Sequence, residues 1–133
     1  LERLRLAHPI DQLGQVISSE QLIAAQAAVR EVFVHEKVRE YIVRLVHATR
    51  RTTDLAMGAS PRASIALYRT AQALAALDGR NYAAPDDVKY VVKSVLSHRV
   101  IVAPEARLRG HGSGEIIDAL VERVPAPVEK GRG

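Results

Sequence analysis

The sequence predicts an all-α fold, a compact bundle of about five helices that leaves room for a minor two-stranded β-ribbon. Three observations lead to this prediction. Apolar residues recur at intervals of three and four positions in five segments, the spacing of amphipathic helices. Capping residues, prolines and glycines mark where most of these segments begin and end. The 133 residues, 47% hydrophobic and 26% charged, are enough for one globular domain with its own core.

The two ends of the chain differ from the region between them. Residues 1–17 begin without methionine and contain Pro9, which discourages helix at His8. We expect them to be the remnant of an interdomain connection in a longer protein. Residues 18–124 carry the helical patterns and are expected to form one domain. Residues 125–133 contain two prolines and two glycines, and they are expected to form a flexible tail.

The first two helices are predicted on either side of a short β-favouring run at 32–34. Ser18 and Gln21 fit a capping box, in which each side chain bonds the other residue's backbone N–H. The helix that follows has a face made of Leu22, Ala25, Gln26 and Val29. The second helix, over 36–51, has the most regular stripe in the chain: Val38, Tyr41, Ile42, Leu45, Val46 and Thr49. Residues 52–59 are expected to be a polar connection.

The central helix is predicted between Ser60 and Gly79. Ser60 is a favourable N-cap, and Pro61 stands at the first helical position, where its missing N–H is tolerated. Gly79 fits the C′ position just past the last apolar residue. Arg62 falls in the first turn, where the helix dipole makes a cation unfavourable by about 0.3–1 kcal/mol. An anion bound at this helix start would remove that conflict.

A fourth helix is predicted after a loop at 80–84. Pro85 starts it, and Asp86 and Asp87 occupy its first turn, where the dipole favours negative charge. Its buried stripe is predicted to be Val88, Val91, Val92, Val95 and Leu96.

The last part of the chain contains a β-favouring run and a fifth helix. Residues 100–102 form the run, which Pro104 ends, and this run is predicted to pair with 32–34 in the ribbon. The glycine-rich residues 110–114 precede a helix whose apolar residues are Ile116, Ile117, Leu120, Val121 and Val124.

Composition and motifs argue against several classes of function. No apolar run approaches the roughly 18 residues of a membrane span, and the lack of cysteine is compatible with a cytoplasmic location. The five histidines lack metal-ligand spacing, so no metal site is expected. No Gly-x-x-x-x-Gly-Lys-Ser/Thr motif occurs, and 110–114 fits a plain loop. No serine has a base at recognisable spacing, so no catalytic residue is predicted in this chain.

Arg62 remains after these exclusions. It is either a solvated surface arginine, which spacing alone favours, or a phosphate ligand. A guanidinium beside a helix N-terminus can make a bidentate, charge-assisted contact to phosphate. Because the chain has no other nucleotide motif, Arg62 would have to reach a phosphate held by another domain.

Three blocks of sequence, in order and at this spacing, resemble the C-terminal lid of MoxR-type AAA+ ATPases. They are Gly58-Ala-Ser-Pro-Arg62-Ala, Gly79-Arg-Asn-Tyr-Ala-Ala-Pro-Asp-Asp-Val88 and Leu96-Ser-His-Arg99. The resemblance extends over about residues 18–124. It implies a helical lid beside an α/β nucleotide-binding core, and that core, with its Walker motifs, is not part of this sequence.

The resemblance also implies roles and partners. Arg62 would be the sensor-two arginine, supported by Gly58, Ser60 and Pro61. ATP and Mg²⁺ would be bound by the full-length protein and not by this chain alone. Family members form rings, often hexameric, and act as chaperone-like ATPases on partners that often bear von Willebrand factor A domains. Such a protein is expected to be cytoplasmic, with no nucleic-acid partner.

The sequence leaves two alternative functions open. A small basic nucleic-acid-binding domain is favoured by the net charge of +4 and by Arg50, Arg51, Arg107 and Arg109. It is disfavoured by interspersed acids, by an aromatic content of 4% and by the lack of a helix with one basic face. A protein-interaction module that uses the exposed face of the 36–51 helix is the other alternative.

Overall fold

The computed structural model describes residues 13–127, which form six helices and two small sheets. The helices are α1 (Ser19–Glu31), α2 (Glu36–Arg51), α3 (Pro61–Leu77), α4 (Pro85–Leu96), α5 (Pro104–Leu108) and α6 (Ser113–Arg123). The strands are β1 (Phe33–Val34), β2 (Leu55–Met57), β3 (Tyr82–Ala83) and β4 (Ile101–Val102). The predicted all-α class with a minor β component is confirmed.

α3 lies at the centre of the domain, in contact with α1, α2 and α4. Its buried face includes Ala63, Ala71 and Ala75, and these small side chains let the neighbouring helices approach closely. The helix ends before Gly79, whose φ of +73° lies in the left-handed region that glycine adopts without strain. Both predicted ends of the central helix are confirmed.

The apolar stripes of α2 and α4 form most of the remaining core. All six residues predicted for α2 and all five predicted for α4 are buried. On α6, Ile116, Ile117 and Leu120 are buried, and Val121 and Val124 pack against the core as partly buried residues. A period of 3.6 residues therefore identified the inward faces of these three helices.

α1 begins at the predicted capping box, since Ser18 Oγ accepts from the Gln21 N–H at 3.2 Å and Gln21 Oε1 accepts from the Ser18 N–H at 2.8 Å. None of its residues is buried. The other end is held by Gln72 of α3, which is 1% exposed and donates to the carbonyls of Arg30 at 3.3 Å and Val32 at 2.7 Å. α1 is thus attached to α3 by a polar side chain more than by an apolar face.

The predicted pairing of residues 32–34 with 100–102 is wrong. β1 pairs in parallel with β3, and β2 pairs in antiparallel with β4. Both partner strands lie in segments that were expected to be connections, 80–84 and 52–59. Strands of two or three residues have too few positions to show a period, so the packing of the flanking helices decides which of them meet.

α5 was not predicted as a helix. Pro104 was interpreted as the end of a β-favouring run, but it occupies the first position of this short helix, as Pro61 and Pro85 do in α3 and α4. The expected connection at 1–17 and the expected tail at 125–133 fall largely on residues 1–12 and 128–133, which lie outside the described residues. Within the described part of the tail, Ala126 packs against the core.

Candidate functional site

The segment that leads into α3 is held by two side chains from the last turn of α2. Thr49 Oγ1 accepts from the Ala59 N–H at 2.9 Å and donates to the Val46 carbonyl at 2.6 Å. Arg50 Nε donates to the Ala59 carbonyl at 2.8 Å. Both backbone polar groups of Ala59, a fully buried residue, are therefore paired with side chains of another element.

Gly58 stands where this segment passes closest to α2. A Cβ added at Gly58 would lie 2.6 Å from the Thr49 carbonyl oxygen and 2.7 Å from Arg50 Cγ. Real Cβ atoms essentially never come so close to backbone oxygen. Only glycine allows the approach that the two hydrogen bonds to Ala59 require.

The start of α3 lacks a side-chain cap. Ser60 has the extended backbone of an N-cap, with φ −74° and ψ 164°, but its side chain makes no capping hydrogen bond, and the first turn of α3 contains no acidic residue. The predicted N-cap position is confirmed, whereas the capping bond is absent. The positive end of the helix dipole is left without a negative group from this turn.

Arg62 lies in this first turn and is exposed. Within residues 13–127 its side chain makes no hydrogen bond or ion pair. Exposed apolar side chains lie on both sides of it along the chain: Met57, in β2, is 60% exposed, and Ile65, one turn further along α3, is 64% exposed. Ile101, the strand partner of Met57, is 51% exposed. An arginine and an open helix N-terminus can bind an anion, and the apolar side chains can pack against another surface.

A second polar cluster joins the end of α3 to the start of α4. Arg80 donates to both carboxylate oxygens of Asp87, at 2.6 and 2.8 Å, and to Asp78 at 2.9 Å. Asp87 also accepts from the Ala84 N–H at 2.7 Å. Burial alone would raise the pKa of Asp87, but the hydrogen bonds from Arg80 and Ala84 outweigh it and lower the pKa.

The helix dipole, from which the sequence accounts for Asp86 and Asp87 together, is an incomplete explanation for Asp87. Asp86 fits it better, because this residue is exposed and pairs with Lys89 at 2.9 Å. Asp87 is buried and locks the turn between two helices. The signal that could have identified it is its place three residues after Ala84, where a carboxylate can bond back to the backbone N–H.

The other sequence candidates are not brought together. Across residues 13–127, no group of three or more His, Asp or Glu side chains is placed to hold a metal ion. Two surface clefts, of about 500 and 570 Å³, lie along the exposed face of α2 and beside the 110–114 loop, and Arg62 lines neither of them. Among residues 13–127, every helix is too short or too polar to span a bilayer.

Comparison with known proteins identifies the class. The AAA lid domain family matches residues 47–120, more than half of the chain, including the whole of α3 and the Ala59 segment. The chain therefore belongs to the AAA lid domain family.

Individual relatives narrow the class further. The chain is 39% identical to the uncharacterized protein YeaC of Bacillus subtilis over 93% of this chain and 39% of the relative. It is 34% identical to chaperone MoxR1 of Mycobacterium tuberculosis over 87% of this chain and 33% of the relative, and 34% identical to protein MoxR of Methylorubrum extorquens over 88% and 36%. A crystal structure of a candidate ATPase from Cytophaga hutchinsonii matches with a TM-score of 0.82 and 29% identity, over 88% of this chain and 38% of that one.

These matches show a lid of the MoxR type of AAA+ ATPases, as the sequence resemblance implied. The chain spans between about a third and two fifths of the length of the three relatives and of the solved structure.

Proposed function

We propose that this lid serves a MoxR-like AAA+ ATPase by supplying Arg62 as a sensor-two arginine. In this proposal ATP and Mg²⁺ are bound by a core domain of the full-length protein, and Arg62 reaches across to the γ-phosphate. The chain by itself carries no catalytic residue and senses the nucleotide state of another domain.

The observation that carries the proposal is the geometry of the α3 start. Arg62 is exposed and its side chain makes no hydrogen bond or ion pair with any described residue, although it stands beside the positive end of a helix that has no acidic residue in its first turn. Both features fit the phosphate of a nucleotide. This turn offers no carboxylate for Mg²⁺, so the metal ion would be held by residues of the core.

The lid would convert this contact into movement. While Arg62 bonds the γ-phosphate, the start of α3 is held against the core, and loss of that phosphate removes the bond. The domain is then free to turn about the connection expected at residues 1–17. Because α3 contacts α1, α2 and α4, movement at its start would carry the whole helical domain.

The partners proposed for the full-length protein follow from the resemblance to MoxR-type AAA+ ATPases. One of them is named a chaperone, and we propose a chaperone-like role in the maturation or remodelling of client proteins, some with von Willebrand factor A domains. The active form would be a ring, often a hexamer, in which Arg62 serves its own core or a neighbour's. We place the protein in the cytoplasm.

ATPase turnover of the full-length protein tests the sensor role. We expect Arg62→Ala to lower turnover by at least about 100-fold, since arginine contacts to a transferring phosphoryl group contribute about 10³–10⁵ in rate. Arg62→Lys should recover part of the loss, because an ammonium keeps the charge without the bidentate geometry.

The matched control is Arg39→Ala, which removes an exposed arginine from α2. It should leave turnover unchanged. Turnover of Arg62→Ala near that of the control would overturn the sensor role. The 133-residue chain alone should bind ATP weakly in calorimetry, and sub-micromolar binding would show that the site is complete without a core.

A further inference from the structure

We infer that Thr49 and Arg50 are positioning residues that fix Arg62 for contact with phosphate. The inference rests on the proposed function of Arg62. It assigns a role in nucleotide sensing to two side chains that lie on a different helix and touch no nucleotide.

The contacts form a clamp, which we define as Thr49, Arg50 and Ala59. Thr49 is 1% exposed, and its hydroxyl both accepts from the Ala59 N–H and donates to the Val46 carbonyl. The Arg50 Nε–H donates to the Ala59 carbonyl. Ala59 therefore cannot rotate about its backbone without losing at least one of these two bonds.

The clamp lies close enough to Arg62 along the chain to fix the position of the backbone from which the Arg62 side chain extends. Only Ser60 and Pro61 separate Ala59 from Arg62, and the proline ring fixes one of the intervening dihedral angles. The side chain of Ser60 makes no capping bond that would fix this entry into α3. The entry is instead held from α2.

Two substitutions remove one half of the clamp each while keeping most of the packing. Thr49→Val keeps the shape of the side chain and removes the acceptor of the Ala59 N–H. Arg50→Met keeps the stem that packs against Gly58 and removes the Nε–H donor. Thr49→Ser retains the hydroxyl, and Arg51→Met alters an exposed neighbouring arginine whose side chain makes no hydrogen bond or ion pair with any described residue.

ATPase turnover of the full-length protein is measured for these variants in the wild-type and Arg62→Ala backgrounds. In the wild-type background, Thr49→Val and Arg50→Met should each lower kcat by about 10- to 100-fold, the effect of a misplacement near 1 Å. Thr49→Ser and Arg51→Met should stay within about twofold of wild type. In the Arg62→Ala background, Thr49→Val and Arg50→Met should cause no further loss, because the residue they position is gone.

The outcomes distinguish the inference about Thr49 and Arg50 from the proposed sensor role of Arg62. If Thr49→Val and Arg50→Met lower kcat by the same factor in both backgrounds, they act through general stability, and the inference is overturned. If Arg62→Ala lowers kcat and both clamp variants do not, the inference fails while the sensor role stands. If Arg62→Ala has no effect, the proposed function itself fails. Arg50→Met keeps the test valid if Thr49→Val does not fold, because Arg50 is an exposed residue.

Discussion

Replacing Gly58 by alanine tests whether the close approach of the Ala59 segment to α2 is needed. The new Cβ would lie 2.6 Å from the Thr49 carbonyl oxygen, and ordinary contact begins near 3.4 Å, so the two backbones must separate by roughly 0.8 Å. That movement strains both hydrogen bonds to Ala59. Overpacking costs about 1–3 kcal/mol, and a buried backbone group left unpaired costs about 1–3 kcal/mol more.

We therefore expect Gly58→Ala to lower the free energy of unfolding of this chain by about 2–6 kcal/mol. Thermal unfolding followed by circular dichroism should show this as a fall in Tm of about 4 °C per kcal/mol. Gly14→Ala is the control, because nothing lies within 4 Å of its added Cβ, and it should change stability by less than about 1 kcal/mol. Equal stability of the two variants would refute the claim that the segment is held tightly against α2.

Three other substitutions test the packing and charge of the domain. The lowered pKa of Asp87 means that its bonds stabilise the fold above the unfolded pKa, near 4, and that this contribution is lost as pH falls further. The difference in Tm between wild type and Asp87→Asn should therefore shrink between pH 5 and 3, and a constant difference would contradict this. Tyr41 is fully buried, and its hydroxyl has no hydrogen-bond partner among the described residues. Tyr41→Phe should therefore leave the free energy of unfolding unchanged or raise it by up to about 2 kcal/mol. A clear fall in that free energy, measured by urea unfolding, would reveal a partner for this hydroxyl. Gln72→Met removes both bonds to the end of α1. Hydrogen exchange of α1 amides should then be faster than in wild type, while that of α2 amides is unchanged. An equal change, or no change, in the exchange of both helices would show that α1 is held in another way.

Long amphipathic helices could be predicted from this sequence because each carries several turns of evidence. The stripe on α2 extends from Val38 to Thr49 in a helix of 16 residues, and all six of its predicted members are buried. The ends of α3 were found from Pro61 and Gly79, whose backbone preferences act locally. These helix ends depend on residues within one turn of each other, whereas the missing capping bond of Ser60 and the short helix begun by Pro104 are local features that the sequence did not indicate.

Features that depend on distant partners could not be predicted in the same way. β1 meets β3 across 49 positions of sequence, from Phe33 to Tyr82, because the helices between them bring the two segments together. Gln72 is a polar residue on the buried face of α3, and its role is visible only when the end of α1 lies beside it. Sequence alone gave no reason to expect either contact.

The residues of the candidate site fall into the same two groups, those that local sequence indicates and those whose role depends on a distant contact. Arg62, Ser60 and Pro61 were singled out by local helix-start chemistry, and Gly58 by the family resemblance. Thr49 was predicted only as a member of an apolar stripe, yet its hydroxyl supports the Ala59 segment ten residues away. Arg50 was considered as a basic surface residue, and its Nε–H is instead used within the fold.

The central claim is that Arg62 contacts the γ-phosphate of ATP, and nucleotide binding to the full-length protein tests it most directly. Affinities for ADP and for a slowly hydrolysed ATP analogue are measured by calorimetry in wild type and Arg62→Ala. We predict that Arg62→Ala weakens binding of the ATP analogue by about 10- to 100-fold, as expected for lost hydrogen bonds to a charged group, and changes ADP affinity by less than about twofold. An equal effect on both nucleotides, or no effect on either, would contradict the claim.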